Sequence, residues 1–221
     1  METEPGRTHA ERSEPERADE RADLVREIVR QTGITDEAIL AAFSRIPRHR
    51  FVPEQRQAYA DRALPIGYQQ TISQPSMIAL MLAELDLRPE HRVLEVGAGS
   101  GYAAALLGEL AREVTAIEIV KELAVRARST LAELHADNVT VIEGNGREGY
   151  APRAPYDRIL VSAAPEEIPE ALLAQLAPSG KIVVPIGDEL GQDLVIGEKS
   201  AAGALSFRNT VPCIFVPLIP S

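Results

Sequence analysis

The sequence predicts an α/β protein: a mainly parallel, doubly wound sheet with an antiparallel late strand and an N-terminal helical extension. Three observations lead there. From Pro75 onward, short runs rich in Val and Ile alternate with amphipathic segments of helical period, which is the pattern of βαβ units. The run Arg92–Val96 passes directly into Gly97-Ala98-Gly99-Ser100-Gly101 and then into a helical pattern, so a strand, a turn and a helix follow without a gap. No helix of useful length separates the last two apolar runs, and a parallel neighbour would need such a crossover.

Taken in order, residues 1–19 mix Glu, Arg, Pro and Thr with almost nothing apolar, and are expected to be a disordered tail. A first helix places Leu24, Val25, Ile28 and Val29 on one face, with Gly33 where a C-terminal cap stands. A second has Thr35 or Asp36 as cap, lines Ile39, Leu40, Phe43 and Ile46 on a face, and stops at Pro47. Residues 48–74 show little periodicity, and a loop that long inside a compact domain is usually functional or disordered; its aromatics and Ile72 argue against disorder. A helix from Pro75 to about Asp86 turns Met77, Ile78, Met81, Leu82 and Leu85 inward. Then come Arg92–Val96 (strand), Gly101–Ala111 (helix), Val114–Glu118 (strand), Lys121–His135 (helix), Val139–Glu143 (strand) and Asp157–Ser162 (strand). Pro169–Leu176 (helix), Lys181–Pro185 (strand) and two late strands near Asp193–Glu198 and Val211–Leu218 complete the pattern.

Composition narrows the function. With 23 Lys and Arg against 33 Asp and Glu the net charge is −10, which argues against a nucleic-acid partner and an anionic membrane. No apolar run reaches the ~18 residues of a membrane span, and the first residues lack a signal-peptide stretch, so a cytoplasmic location is expected. The single cysteine, Cys213, sits among Ile214, Phe215 and Val216 and reads as a buried small hydrophobe. His9, His49, His91 and His135 have no metal-ligand spacing, and no metal is expected.

The Gly-rich turn carries the chemistry. Its glycines allow unusual backbone angles and close approach of a ligand. The dinucleotide fingerprint G-x-G-x-x-G requires glycine where this chain has Tyr102, and no Gly-Lys-Ser/Thr follows for a phosphate loop. Glu95, two residues before the first glycine, repels a pyrophosphate but tolerates an amino group and a sulfonium. The run Val93–Tyr102 thus looks like the cofactor loop of an S-adenosylmethionine-dependent methyltransferase. Glu118, about 20 residues on, ends the next strand and can accept hydrogen bonds from ribose hydroxyls; alone it would read sooner as a solvated strand-end carboxylate, and its register with the loop reverses that preference. The third strand ends in Gly144-Asn145-Gly146, on the edge where an adenine would lie. Asn145 there suits either the base or a tight turn.

These residues resemble the protein-L-isoaspartate O-methyltransferase family from about Ile39 to Leu218. The most specific mark is Thr71-Ile72-Ser73-Gln74-Pro75 upstream of Val93–Tyr102. Also similar are Arg48-His49-Arg50-Phe51-Val52-Pro53, Gly144–Tyr150, Ala154-Pro155-Tyr156-Asp157, Ala163-Ala164-Pro165, Val184-Pro185-Ile186-Gly187 and Phe215-Val216-Pro217-Leu218. The resemblance implies a Rossmann-like methyltransferase fold in one domain over 20–221. Residues 20–90 would supply helices and a substrate-side loop, and residues 91–221 the cofactor-binding core. It implies methyl transfer from S-adenosylmethionine to the free carboxylate of L-isoaspartyl residues in damaged proteins or peptides, whose ester then collapses to a succinimide on the way to repair. By the same carry-over Ser73 is the catalytic serine and Thr71, Ile72 and Ser73 bind substrate. Glu95, Gly97, Gly99, Ser100, Gly101, Glu118, Gly144, Asn145 and Gly146 hold the cofactor. Three departures stand out: Asn145 where the family usually has aspartate, Ser179 in the Pro178-Ser179-Gly180 turn, and the poorly matching residues 192–209.

The chemistry needs little machinery. A peptide α-carboxylate, with a pKa near ~3.5, is already an anion at neutral pH, so no general base is required. Ser73 would donate a hydrogen bond to that carboxylate; its position just before a helix opened by Pro75 also suits an N-cap. Three rival readings remain at this point. One is a relative that methylates an aspartate in a ribosomally made peptide during maturation. Another is a non-catalytic binding module of the same fold, and the last a nicotinamide-dependent oxidoreductase, disfavoured by Tyr102.

Overall fold

The computed structural model describes residues 14–188 and 190–219. Helix α1 (Glu14–Thr32) buries Leu24 and Ile28 and closes on Gly33, whose φ is 71° and whose N–H reaches the Val29 carbonyl at 2.8 Å. Helix α2 (Glu37–Arg45) is capped by Asp36, which accepts from the N–H groups of Ala38 (2.9 Å) and Ile39 (3.1 Å). Two 3₁₀ turns, Arg48–Phe51 and Gln55–Gln57, follow. The strands β1 (Leu64–Gly67) and β2 (Gln70–Ile72) then pair as a separate antiparallel hairpin. Helix α3 (Pro75–Leu85) ends on Asp86 in the left-handed region.

The main sheet uses β3 (Arg92–Val96), β4 (Glu113–Glu118), β5 (Val139–Glu143), β6 (Tyr156–Val161), β7 (Leu176–Asp188), β8 (Gly191–Lys199) and β9 (Leu205–Cys213). Its order is β5-β4-β3-β6-β7-β8-β9. The first five strands pair in parallel, and β8 pairs antiparallel with both β7 and β9, so β8 alone runs against the other six. The crossovers carry α4 (Tyr102–Leu110), α5 (Lys121–Glu133) and α6 (Glu170–Gln175). This is a doubly wound, Rossmann-like sheet with one antiparallel late strand, as the sequence pattern predicts. Strands β3 and β4 are buried on both faces over nearly their whole length, so Val93, Leu94 and Val96 and Val114, Ala116 and Ile117 are all core residues, and Glu95 and Glu118 are buried with them. Alternate residues of β3 serve opposite cores: Val93 packs into the larger cluster with α1 to α5, and Leu94 and Val96 into the smaller one with Leu172 of α6.

The chain runs β3, β4, β5 toward one edge and then β6, β7 toward the other. The order therefore reverses between β3 and β6. Outside the carboxyl ends of those strands an open α/β sheet leaves its crevice, and the turn after Val96 and the residue after Val161 both lie there.

Two expectations are corrected. Helix α1 begins at Glu14, inside the stretch 1–19 expected to be disordered; residues 1–13 lie outside the described residues. Its first turn docks by polar contacts that an apolar count misses. The Arg17 side chain, 4% exposed, donates to the Gln55 carbonyl at 3.0 Å and to Gln55 Oε1 at 3.2 Å. The last strand is Leu205–Cys213 rather than Val211–Leu218. The apolar run at 214–218 instead leaves the sheet as a strap over the crevice. The Ala164 N–H bonds the Val216 carbonyl, and the Leu218 N–H bonds the Ala164 carbonyl, each at 2.8 Å.

Candidate active site

Three adjoining cavities open at the carboxyl ends of β3, β4 and β6. The first runs past Gly97, Gly99, Glu118, Gly146 and the strap at Pro217 and Leu218. The second runs past Glu95, Ser100, Tyr102, Ile72 and Ser73. The third, about 520 Å³, lies between Ser73, Gln74 and Met77 on one wall and 212–216 on the other. Thr71 and Ser162 line all three.

The glycine turn is fixed by its neighbours. The N–H groups of Gly97 and Ala98 both donate to the Ile117 carbonyl at 2.9 Å. Glu118, 5% exposed, accepts from the Gly99 N–H at 2.7 Å through one oxygen and from the Val120 N–H at 2.8 Å through the other. A carboxylate has about four acceptor positions, so two backbone bonds leave capacity for hydroxyls of a ligand in the first cavity. Gly99, at φ 54°, has no room to spare: a Cβ there would stand 3.2 Å from Ile66 Cδ1 of the β1–β2 hairpin, which thus covers the turn.

Glu95 is fully buried on β3. Its Oε1 accepts from the Ser162 hydroxyl at 3.4 Å, and its Oε2 has no hydrogen-bond partner among the described residues. Burial pushes its carboxyl up to about 8; the Ser162 hydroxyl opposes that rise and the Glu118 charge adds to it. A buried carboxyl with one orphaned oxygen beside a cavity is suited to an ammonium group. With Glu118 and the close-fitting turn, this meets the needs of S-adenosylmethionine, which carries an amino group, a sulfonium and a ribose.

Ser73 is half-buried between the second and third cavities. The N-cap of α3 is Gln74, without a side-chain cap bond. Asp61 does the capping from a distance: its Oδ1 accepts from the Ser76 N–H at 2.8 Å and its Oδ2 from Gln74 Nε2 at 3.0 Å. The Ser73 hydroxyl forms no hydrogen bond with a described residue. It is therefore available to a ligand rather than committed to the helix.

Three of the residues expected at the cofactor do not line these cavities. Gly101 lines none of the three cavities; a Cβ there would meet Ala127 Cβ at 3.1 Å, so this glycine lets α4 approach α5. Gly144 and Asn145 do not line them either, whereas Gly146 does. The Asn145 side chain serves a local turn, accepting from the Arg147 N–H at 3.0 Å and donating to Glu148 Oε1 at 3.1 Å. Glu95, Gly97, Gly99, Ser100, Glu118, Thr71, Ile72 and Ser73 all border the crevice. Sequence reasoning missed Ser162 and the strap. Ser162 has no motif of its own, and its strand is known to neighbour β3 only once the sheet order is known. Cys213 is buried as expected, yet it belongs to the wall of the third cavity; burial and the nearby Asp193 push its thiol up to about 11, which keeps it protonated and inert. No group of three or more His, Cys, Asp or Glu among the described residues could hold a metal ion.

The family model described as protein-L-isoaspartate(D-aspartate) O-methyltransferase (PCMT) matches residues 19–221. A protein-L-isoaspartate O-methyltransferase of Methanoregula boonei is 50% identical over 206 residues, covering 92% of this chain and 94% of that one. A solved protein-L-isoaspartate O-methyltransferase structure superposes with a TM-score of 0.82 at 28% identity, over 89% of this chain and 65% of that longer one. A putative protein-L-isoaspartate O-methyltransferase of Plasmodium falciparum, solved in complex with S-adenosyl-L-homocysteine, gives a TM-score of 0.79 at 26% identity, over 89% of this chain and 97% of that one.

Proposed function

The chain belongs to the protein-L-isoaspartate O-methyltransferase family, and on that premise we propose that it methylates the free carboxylate of L-isoaspartyl residues in damaged proteins and peptides, the step that initiates their repair. The observation that carries this reading is the meeting of the three cavities at Thr71 and Ser162. There the Ser73 hydroxyl and one oxygen of the buried Glu95 carboxyl, neither with a hydrogen-bond partner among the described residues, border the same crevice.

When bound, S-adenosylmethionine supplies a methyl group on a sulfonium. Glu118 would hold its ribose hydroxyls, Gly97 and Gly99 would let it approach the main chain, and Glu95 would take its ammonium. Ser73 donates a hydrogen bond to the substrate carboxylate and turns one oxygen toward the first two cavities. The third cavity holds the peptide between Met77 and the segment 212–216. These residues need only bring that oxygen within about 3–3.5 Å of the methyl carbon. No proton has to be removed from the substrate, so no base is assigned. The apolar walls of Ile72, Met77 and Phe215 help exclude water, which favours a step in which opposite charges cancel.

A single cysteine, which allows no internal disulfide, fits a cytoplasmic location; no helix of the described residues is long and apolar enough to cross a membrane. The test is methyl transfer to a synthetic isoaspartyl peptide beside its normal aspartyl twin. Incorporation into the isoaspartyl form is expected. Preference for the aspartyl twin would overturn the substrate assignment, and no transfer to either would overturn the activity.

A further inference from the structure

Arg48 heads the fully buried side chains by size, and the reaction outlined above does not use it. Its three guanidinium nitrogens each donate to a backbone carbonyl: Nε to Ala58 at 2.8 Å, Nη1 to Ser73 at 3.1 Å and Nη2 to Arg62 at 3.1 Å. Its Cζ stands 5.1 Å from the ring centroid of Tyr102. No carboxylate among the described residues forms an ion pair with it. A cation removed from water in this way is costly unless every donor is satisfied. Here three of its five N–H donors are bonded to carbonyls, and the Tyr102 face and the negative charge of nearby Asp61 compensate further.

The identity of these partners matters. All three carbonyls belong to the substrate-side segment between Ala58 and Ser73. Tyr102 is the first residue of α4, immediately after the glycine turn. One side chain therefore ties the two halves of the active site together, and it grips the peptide unit of the serine that faces the substrate. Among the described residues, no charged side chain lines the third cavity. Alignment of an anionic substrate there depends on where hydroxyls and main chain stand, not on an ion pair.

We propose that Arg48 is a positioning residue for methyl transfer: its guanidinium locks the Ser73 backbone to the helix leaving the glycine turn, and so sets the spacing between substrate carboxylate and methyl donor. Lysine cannot replace it, because a single ammonium lacks the planar fork that reaches three carbonyls at once.

This proposal rests on the reaction proposed above, so the wild-type enzyme is assayed first. Its failure on the isoaspartyl peptide would count against that reaction and not against Arg48. Arg48→Lys is then compared with wild type at a temperature where circular dichroism shows both fully folded. The expected result is a kcat lower on the order of 100-fold, the scale of an ångström-level misplacement, with a cofactor Kd within about threefold of wild type. A purely structural role would lower Tm and leave kcat per folded molecule unchanged. Tyr102→Leu removes the ring but leaves the three carbonyl bonds, and is expected to give the same split in milder form. It carries the test should Arg48→Lys fail to fold. A folded Arg48→Lys with wild-type kcat overturns the proposal, as does an unchanged kcat in Tyr102→Leu.

Discussion

At the scale of single residues, Ser73 and Glu95 both have hydrogen-bonding capacity that the described residues leave unused. Ser73 keeps its hydroxyl because Asp61 has taken over the cap of α3. Ser73→Ala is expected to lower kcat/KM for an isoaspartyl peptide on the order of 100-fold through lost orientation, while calorimetry finds the cofactor Kd nearly unchanged. Normal turnover would remove Ser73 from the reaction. Glu95 carries a conflict between burial and charge. Unfolded, its carboxyl ionises near its usual 4.5; folded, it holds its proton to about 8. The native state binds the extra proton between those values, so stability falls as pH rises through that window and levels off above it. Glu95→Gln keeps the shape without the charge. It is expected to flatten this dependence and raise the Tm of the cofactor-free protein near pH 8 in thermal denaturation. An ammonium partner reverses the preference, so wild-type cofactor affinity rises as pH climbs toward about 8, whereas the Gln variant binds more weakly with a flat profile.

At the scale of elements, the β1–β2 hairpin and the start of α3 decide how the substrate side is built. The hairpin turns on Tyr68 and Gln69, both at positive φ (54° and 58°), and Ile66 closes over the glycine turn. None of this is visible as a period in residues 48–74. The strands are four and three residues long, too short for alternation to register. Long-range polar contacts from Arg48, Asp61 and Arg126 also hold the segment, the last donating to the Ile66 carbonyl at 2.8 Å. Asp61→Ala removes a cap supplied from fifteen residues away. It is expected to cost about 0.5–2 kcal/mol in urea unfolding, the range for a lost N-cap, and to lower kcat more than it weakens cofactor binding. Unchanged kinetics would show that the cap serves stability alone. By contrast β3, β5 and α3 were legible almost to the residue. Each is a local pattern of apolar spacing closed by a Gly, Pro or polar residue.

At the scale of the whole molecule, the site exists because the strand order reverses between β3 and β6, which brings Ser162 against Glu95 across 67 positions of sequence. The same scale explains the strap. Gln192 on β8 clips Phe215 twice, donating to its carbonyl at 3.0 Å and accepting from its N–H at 2.7 Å. Those contacts hold the far wall of the third cavity, where the peptide is proposed to bind, from a region that matches the family poorly. Gln192→Ala is expected to raise the peptide KM severalfold, as lost substrate contacts do when the chemistry is intact, with a smaller change in cofactor Kd; steady-state kinetics and calorimetry separate the two. A wild-type KM would show the strap to be held by its bonds to Ala164.

What the sequence determined by itself was the alternation of strands and helices, the glycine turn with Glu95 and Glu118, and the Thr71–Pro75 segment. Each of these is written in neighbouring residues or in one repeating spacing. The tertiary structure alone decided that Ser73 is free of the helix cap, that Asn145 and Gly101 are engaged locally, and that Ser162 and the strap complete the crevice. Those outcomes depend on which distant segment packs beside each residue. Sheet order and long-range hydrogen bonds fix that, and they leave no periodic trace along the chain.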